Sequence, residues 1–197
     1  MNILECIRDQ KIYGIIREDD PNRAFELLNA YIEGGLKVVE LNTSFEILDK
    51  IEPIKDKVLI AQGGIITSAQ AHLALQKGAK IISSPILQNH LIRLASVTKS
   101  FLIPSVTTAN EAYCAWRARI PLIKIYPVNN MGGIEYIKEL KKPMPFLNLL
   151  PCGFVKLDEV EGYLKAGADA VGIGRELYKS DYKEIVEKIK ELKKMVR

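Results

Sequence analysis

Three stretches of the chain open alike: GLKVVELN at residues 35–42, GAKIISS at 78–84 and GADAVGI at 167–173. Each begins with glycine and runs into a short block rich in Val, Ile or Leu. Glycine at such a place supplies the left-handed residue that ends a helix. A brief aliphatic block suits a strand buried on both faces. Working outward from these three, strands are expected at 12–17, 37–42, 58–62, 80–84, 101–105, 122–126, 146–150 and 170–174. Between them lie segments with helical period. Residues 21–33 place Ala24, Leu27, Leu28 and Tyr31 on one face, and residues 68–77 do the same with Ala71, Ala74 and Leu75. Segments 110–118 and 157–166 behave similarly. Asp20-Pro21 and Ser68 read as helix starts, and Gly34-Gly35, Gly78 and Gly167 as helix ends.

Eight strand–helix units, spaced by roughly 20–25 residues, imply parallel pairing through right-handed crossovers. The expected fold is a (β/α)8 TIM barrel in one domain, 1–197. A doubly wound open sheet is the competitor, but the repeat shows no reversal and no GxGxxG follows the first strand. Residues 2–10 are expected to form an extra N-terminal helix that plugs the barrel bottom. Residues 181–197 read as a long final helix burying Ile185, Ile189, Leu192 and Val196, with its charges on a solvated face.

Composition excludes several classes. The 197 residues are 48% hydrophobic and 26% charged, an ordinary globular mixture. The apolar runs are too short for a transmembrane helix, and the charged N-terminus MNILECIRDQK argues against export. The net charge is +4, yet no basic arm with interleaved aromatics points to nucleic acid. Cys6, Cys114 and Cys152 are too scattered for a disulfide framework or thiolate zinc site, which favours a reducing, cytoplasmic setting. With only His72 and His90, both on expected helices, no metal-ligand spacing arises. Tyr113 and Trp116, also on a helix, are expected to pack.

In a barrel of this kind, function gathers at the C-terminal strand ends. Two strands carry a charge inside an apolar run. In KVVELN, Glu40 shares a face with Val38 and Asn42; in PLIKIYP, Lys124 shares a face with Leu122 and Tyr126. The bulkier aliphatic faces suit the outer helices, so Glu40 and Lys124 should point inward from strands two and six. One reading is a structural ion pair, since buried charges are costly unless paired. The other is Schiff-base chemistry. Desolvation lowers a lysine's pKa and frees its lone pair to attack a carbonyl, while the glutamate moves protons. Arg17 could face inward toward a substrate carboxylate or pair with Glu18 or Asp19. The glycine-bearing turns Pro151-Cys152-Gly153 and Gly172-Ile173-Gly174 could offer N–H groups to a phosphate, with Gly132-Gly133 serving the same pocket. Cys152 faces the pocket as lining or as a nucleophile without an adjacent base.

These residues resemble the class I 2-keto-3-deoxy-6-phosphogluconate (KDPG) aldolases, together with the 4-hydroxy-2-oxoglutarate (KHG) and phosphogalactonate aldolases. The resemblance is carried by GGLKVVELN around Glu40, SSP ending at Pro85, IPSVTTANEA, IKIYPVNNMGG around Lys124, LPCG and AVGIG. It implies a homotrimeric barrel that cleaves a keto-acid substrate to pyruvate and an aldehyde with no cofactor beyond a covalent Schiff base on Lys124. It makes Lys124 and Glu40 catalytic, and Arg17 and Pro85 pocket residues. The binding shell departs from the family pattern. ELNTSF places Ser44 where a carboxylate-binding arginine is usual, and Gly64 stands where a threonine is usual. Cys152 replaces a hydroxyl, Phe154 replaces a glycine beside Gly153, and Arg175 replaces a serine after Gly172 and Gly174. Two outcomes follow: an active aldolase with shifted preference, or a weakened family barrel that binds a small carboxylate or phosphate anion without turnover. A synthase on a phosphate-binding barrel is a third, for which no carboxylate cluster is evident.

Overall fold

The computed structural model describes residues 2–42 and 44–196. Eight parallel strands run around the molecule: β1 (Ile12–Ile16), β2 (Val38–Leu41), β3 (Leu59–Gln62), β4 (Ile81–Ser84), β5 (Phe101–Val106), β6 (Ile123–Ile125), β7 (Leu149–Pro151) and β8 (Val171–Ile173). Consecutive strands pair from β1 to β7, and β8 pairs with β1. The seam between β7 and β8 closes through the bridge Cys152↔Gly172 and the bond from Asp169 N to Leu149 O (2.9 Å). The fold is a nearly closed (β/α)8 TIM barrel, not an open doubly wound sheet.

The helices are α1 (Ile3–Gln10), α2 (Pro21–Glu33), α3 (Ser68–Gln76), α4 (Asn89–Thr98), α5 (Ala109–Arg117), α6 (Gly133–Lys141), α7 (Val160–Lys165), α8 (Arg175–Tyr178) and α9 (Tyr182–Met195). Their ends follow local chemistry. Asp20 caps α2 ahead of Pro21. At α3 the cap is Thr67 rather than Ser68, because Thr67 and Gln70 close a reciprocal capping box. Gly35, Gly78 and Gly167 all adopt φ near +96° (+95, +96, +97), whereas Gly34 is right-handed. Gly34 instead permits close packing, since a Cβ there would meet Ile189 of α9 at 2.8 Å.

Three further expectations are corrected. The crossover from β2 to β3 carries no α-helix but two 3-10 turns, Phe45–Lys50 and Glu52–Ile54. Pro53 lacks the donor an α-helix needs there and restricts the residue before it. Strand seven begins at Leu149, not at 146, because Leu147 N turns back to Met144 O (3.2 Å). Phe146 goes to the surface instead. There it meets Trp116 at 4.4 Å between ring centroids, and Trp116 stacks on Tyr113 at 5.8 Å. All three rings stay partly exposed rather than packed into the core. The final helix ends at Met195; Arg197 lies outside the described residues, as does Thr43 of ELNTSF.

The core has two parts. The larger lies between barrel and helices, and there α2 packs on α9. The smaller fills the barrel: Tyr13, Val38, Ala61, Ile81, Ile103, Leu122 and Leu150, with Ile7 of α1 entering from below. Helix α1 is therefore the expected plug. Gln10 holds it to β2 through Val38 N (3.2 Å) and Val38 O (3.1 Å), and Arg8 reaches Asp169 (2.9 Å) and Asn148 (2.8 Å). Filling the lower barrel with aliphatic and aromatic side chains closes the interior there, and the barrel opens above, at the C-terminal strand ends. Among the described residues, no helix is long and apolar enough to cross a membrane.

Candidate active site

Inward positions alternate along each strand, so even-numbered strands share a layer. Above Val38, Ile81 and Leu122 that layer continues as Glu40, Ser83, Lys124 and Gly172. Glu40 and Lys124 both point inward, as their strand parity requires, and meet across the narrow interior. Lys124 Nζ donates to Glu40 Oε2 at 2.6 Å, to Glu40 Oε1 at 2.9 Å and to Ser83 Oγ at 2.7 Å. Glu40 is 2% and Lys124 5% exposed. The carboxylate also accepts from Asn42 Nδ2 on Oε1 (2.8 Å) and from Tyr13 Oη on Oε2 (3.0 Å). Burial alone would raise the Glu40 carboxyl. The Lys124 charge, with hydrogen bonds from Lys124, Ser83 and Asn42, outweighs it and holds Glu40 below the ordinary carboxylate range.

This group is the floor of a cavity of about 430 Å³. Arg17, Gly64, Pro85, Cys152, Gly153, Gly172, Gly174 and Arg175 all line it. The arrangement refines several roles. Arg17 is on the exposed rim with no ion pair to Glu18 or Asp19; Glu18 instead accepts from the backbone of Asp19 (2.9 Å) and Asp20 (3.2 Å). Gly172 lies inside β8 rather than in a turn, and a Cβ there would come within 2.1 Å of Cys152 Sγ. Burial, foremost, pushes the Cys152 thiol up to about 12, so at neutral pH it is a protonated wall and not a nucleophile. Gly132 and Gly133 begin α6 and do not border the cavity. Ser44 is exposed at the start of the first 3-10 turn and also lies off the lining. His72 and His90 are exposed on α3 and α4.

At the mouth, the Arg175 guanidinium sits 5.5 Å from the centroid of the Phe154 ring. Phe154 takes φ +59°, a conformation that suits glycine, and leaves its ring 58% exposed. Two departures from the family pattern thus form one contact. Lys156 adds a third cation to the rim beside Arg17 and Arg175.

Several site residues escape sequence reading. Tyr13 reads as one more aromatic in an apolar strand. Ser83 has the inward parity of Ile81 and is recoverable by that rule. Asn42 is recoverable from its shared face with Glu40, but its reach also needs Gly63, where a Cβ would fall 2.1 Å from Asn42 Oδ1. Lys156 carries no signal beyond its place after strand seven.

The family model described as "KDPG and KHG aldolase" matches residues 3–192. The chain belongs to the KDPG and KHG aldolase family. It is 26% identical to the 2-dehydro-3-deoxy-phosphogluconate aldolase of Haemophilus influenzae, over 82% of this chain and 78% of that one. It is 26% identical to the 2-dehydro-3-deoxy-6-phosphogalactonate aldolase of Escherichia coli, over 86% of this chain and 85% of that one. The fold matches KDPG aldolase from Legionella pneumophila, solved with pyruvate captured as a covalent carbinolamine. The TM-score is 0.84 at 23% identity, covering 100% of this chain and 98% of that one.

Proposed function

We propose that this protein is a class I aldolase that reversibly cleaves a 2-keto-3-deoxy-6-phospho sugar acid or a 4-hydroxy-2-oxo acid to pyruvate and an aldehyde. One observation carries the reading: a lysine and a glutamate, buried and in contact, on the floor of a cavity open at the C-terminal strand ends. Glu40 takes a proton from the Lys124 ammonium, and the freed nitrogen attacks the keto carbon. The former carbonyl oxygen, protonated through Glu40, leaves as water and gives an iminium. Glu40 then removes the proton of the substrate hydroxyl. The carbon–carbon bond breaks, its electrons flow into the iminium, and an aldehyde departs from an enamine. Protonation of the enamine carbon and addition of water release pyruvate and restore Lys124.

The cationic rim of Arg17, Lys156 and Arg175 suits a substrate with anionic ends. Pro85, Gly64, Gly153, Gly174 and Cys152 shape the wall, and the reading needs no cofactor. It includes a cytoplasmic homotrimer, the assembly state being open to light scattering. The decisive experiment mixes protein with pyruvate, reduces with borohydride and weighs the product. One reduced pyruvate adduct is expected on the native protein and none on Lys124→Ala. No adduct at high pyruvate overturns the aldolase and favours an anion-binding barrel. Cleavage of a panel of phosphorylated and unphosphorylated 2-keto-4-hydroxy acids then identifies the substrate.

A further inference from the structure

The aldolase chemistry creates a problem that the resting structure conceals. Lys124 donates to both oxygens of Glu40. Once its nitrogen is bonded to a substrate carbon, it loses most of its N–H donors, and those remaining must turn with the substrate. In the carbinolamine and the enamine that nitrogen is neutral, so Glu40 is then a carboxylate above Ile103 and Leu150 with no cation on it. Such a group takes up a proton or swings away unless other donors hold it. Either event would end its work as a base.

Three neutral donors remain, and they are not equivalent. Asn42 and Ser83 line the cavity, so substrate competes for both. Tyr13 is fully buried in the layer beneath, off the cavity lining, and packs with Val38, Ile81 and Leu122. Its hydroxyl reaches Glu40 Oε2 at 3.0 Å, and its ring lies 5.7 Å from Lys124 Nζ. We propose that Tyr13 is a positioning residue: its sealed hydroxyl anchors Glu40 Oε2 from below and keeps the carboxylate oriented and ionised while Lys124 is occupied by substrate. The inference rests on the aldolase reading and adds a residue to it.

The surroundings agree. Burial, then the Glu40 charge and the bond to it, hold the Tyr13 hydroxyl well above its ordinary range, so it stays a donor throughout the cycle. The titratable groups facing Glu40 are Lys124 from β6, Tyr13 from β1 and Cys152 just after β7, whose thiol is neutral. Ser83 and Asn42 do not titrate.

The test uses Tyr13→Phe, which removes one oxygen from a close-packed site, and a 3-fluorotyrosine at 13, a stronger donor of nearly the same shape. Glu40 is followed by carbon NMR of labelled glutamate carboxyls, its signal identified by loss in Glu40→Gln. The pH dependence of the pyruvate-trapping rate is measured alongside. In Tyr13→Phe the Glu40 midpoint should rise by about one unit, the effect of one hydrogen bond to a charged group. The acid limb of trapping should move with it, and the maximal rate should fall severalfold. Fluorotyrosine should shift the midpoint the other way. An unmoved midpoint in both proteins overturns the inference, even if Tyr13→Phe melts earlier, because lost packing alone does not move a titration. If the native protein traps no pyruvate, the aldolase reading fails instead, and a shifted midpoint would then make Tyr13 a structural donor only.

Discussion

Replacing Lys124 by methionine isolates the electrostatics of the floor. The side chains are similar in length, so the layer stays filled, but Glu40 loses the cation that pairs with its carboxylate. Breaking a buried pair by removing one partner costs about 3–5 kcal/mol, because a charge is left without compensation. For a chain of this length that lowers Tm by roughly 6–20 °C. The pH dependence should also reverse. In the native protein the folded Glu40 pKa lies below its unfolded value. Its contribution to stability is therefore present above the unfolded pKa and lost as pH falls through the folded one. In Lys124→Met the largest opposing effect is gone; the neutral donors Tyr13, Asn42 and Ser83 offset burial only in part, and the folded pKa rises above the unfolded one. Glu40 then binds its proton more tightly when folded, and the variant loses stability as pH rises through the folded pKa. Adding Glu40→Gln removes the orphaned charge and should recover most of the loss. Urea unfolding of the three proteins between pH 4 and 8 measures all of this. A single variant as stable as the native protein at pH 8, or one whose deficit does not shrink on acidification, would refute the argument.

Two more outcomes follow from the packing. Gly172→Ala should destabilise by about 1–3 kcal/mol, since its methyl group would overlap Cys152 Sγ; Cys152→Ala in the same chain should relieve most of that in a denaturation assay. Alkylation by iodoacetamide at pH 8, mapped by mass spectrometry, should label the exposed Cys114 while leaving Cys152, buried with its thiol pushed up to about 12, unmodified until the protein unfolds. Rapid native labelling of Cys152 would contradict its burial in the cavity wall.

Much of the site is legible in sequence because strand geometry is simple. A charge in a three- to six-residue aliphatic run must point to one face or the other, and the bulkier face goes to the helices. That rule puts Glu40 and Lys124 together without coordinates, and strand count places them across the barrel. The same rule reaches Ser83 but not the bond from Tyr13 to Glu40. A tyrosine's ring belongs in the core whether or not its hydroxyl has a partner. Nor does pattern separate Phe146 from a strand residue: an aromatic beside Leu147 and Leu149 reads as buried, yet it covers Trp116 on the surface. At residues 45–54, isoleucines and leucines at helix-like spacing form 3-10 turns around Pro53.

The sequence by itself determined the repeat, the inward pair and the glycine-terminated helices, because these depend on backbone periodicity and on conformations that few residues adopt. Tertiary structure alone decided the seam from β7 to β8, the contact of Arg175 with Phe154 and the donors on each oxygen of Glu40. These depend on how far distant strands tilt and rotate before they meet. A few tenths of an ångström there separate a hydrogen bond from none, and no local pattern encodes that distance.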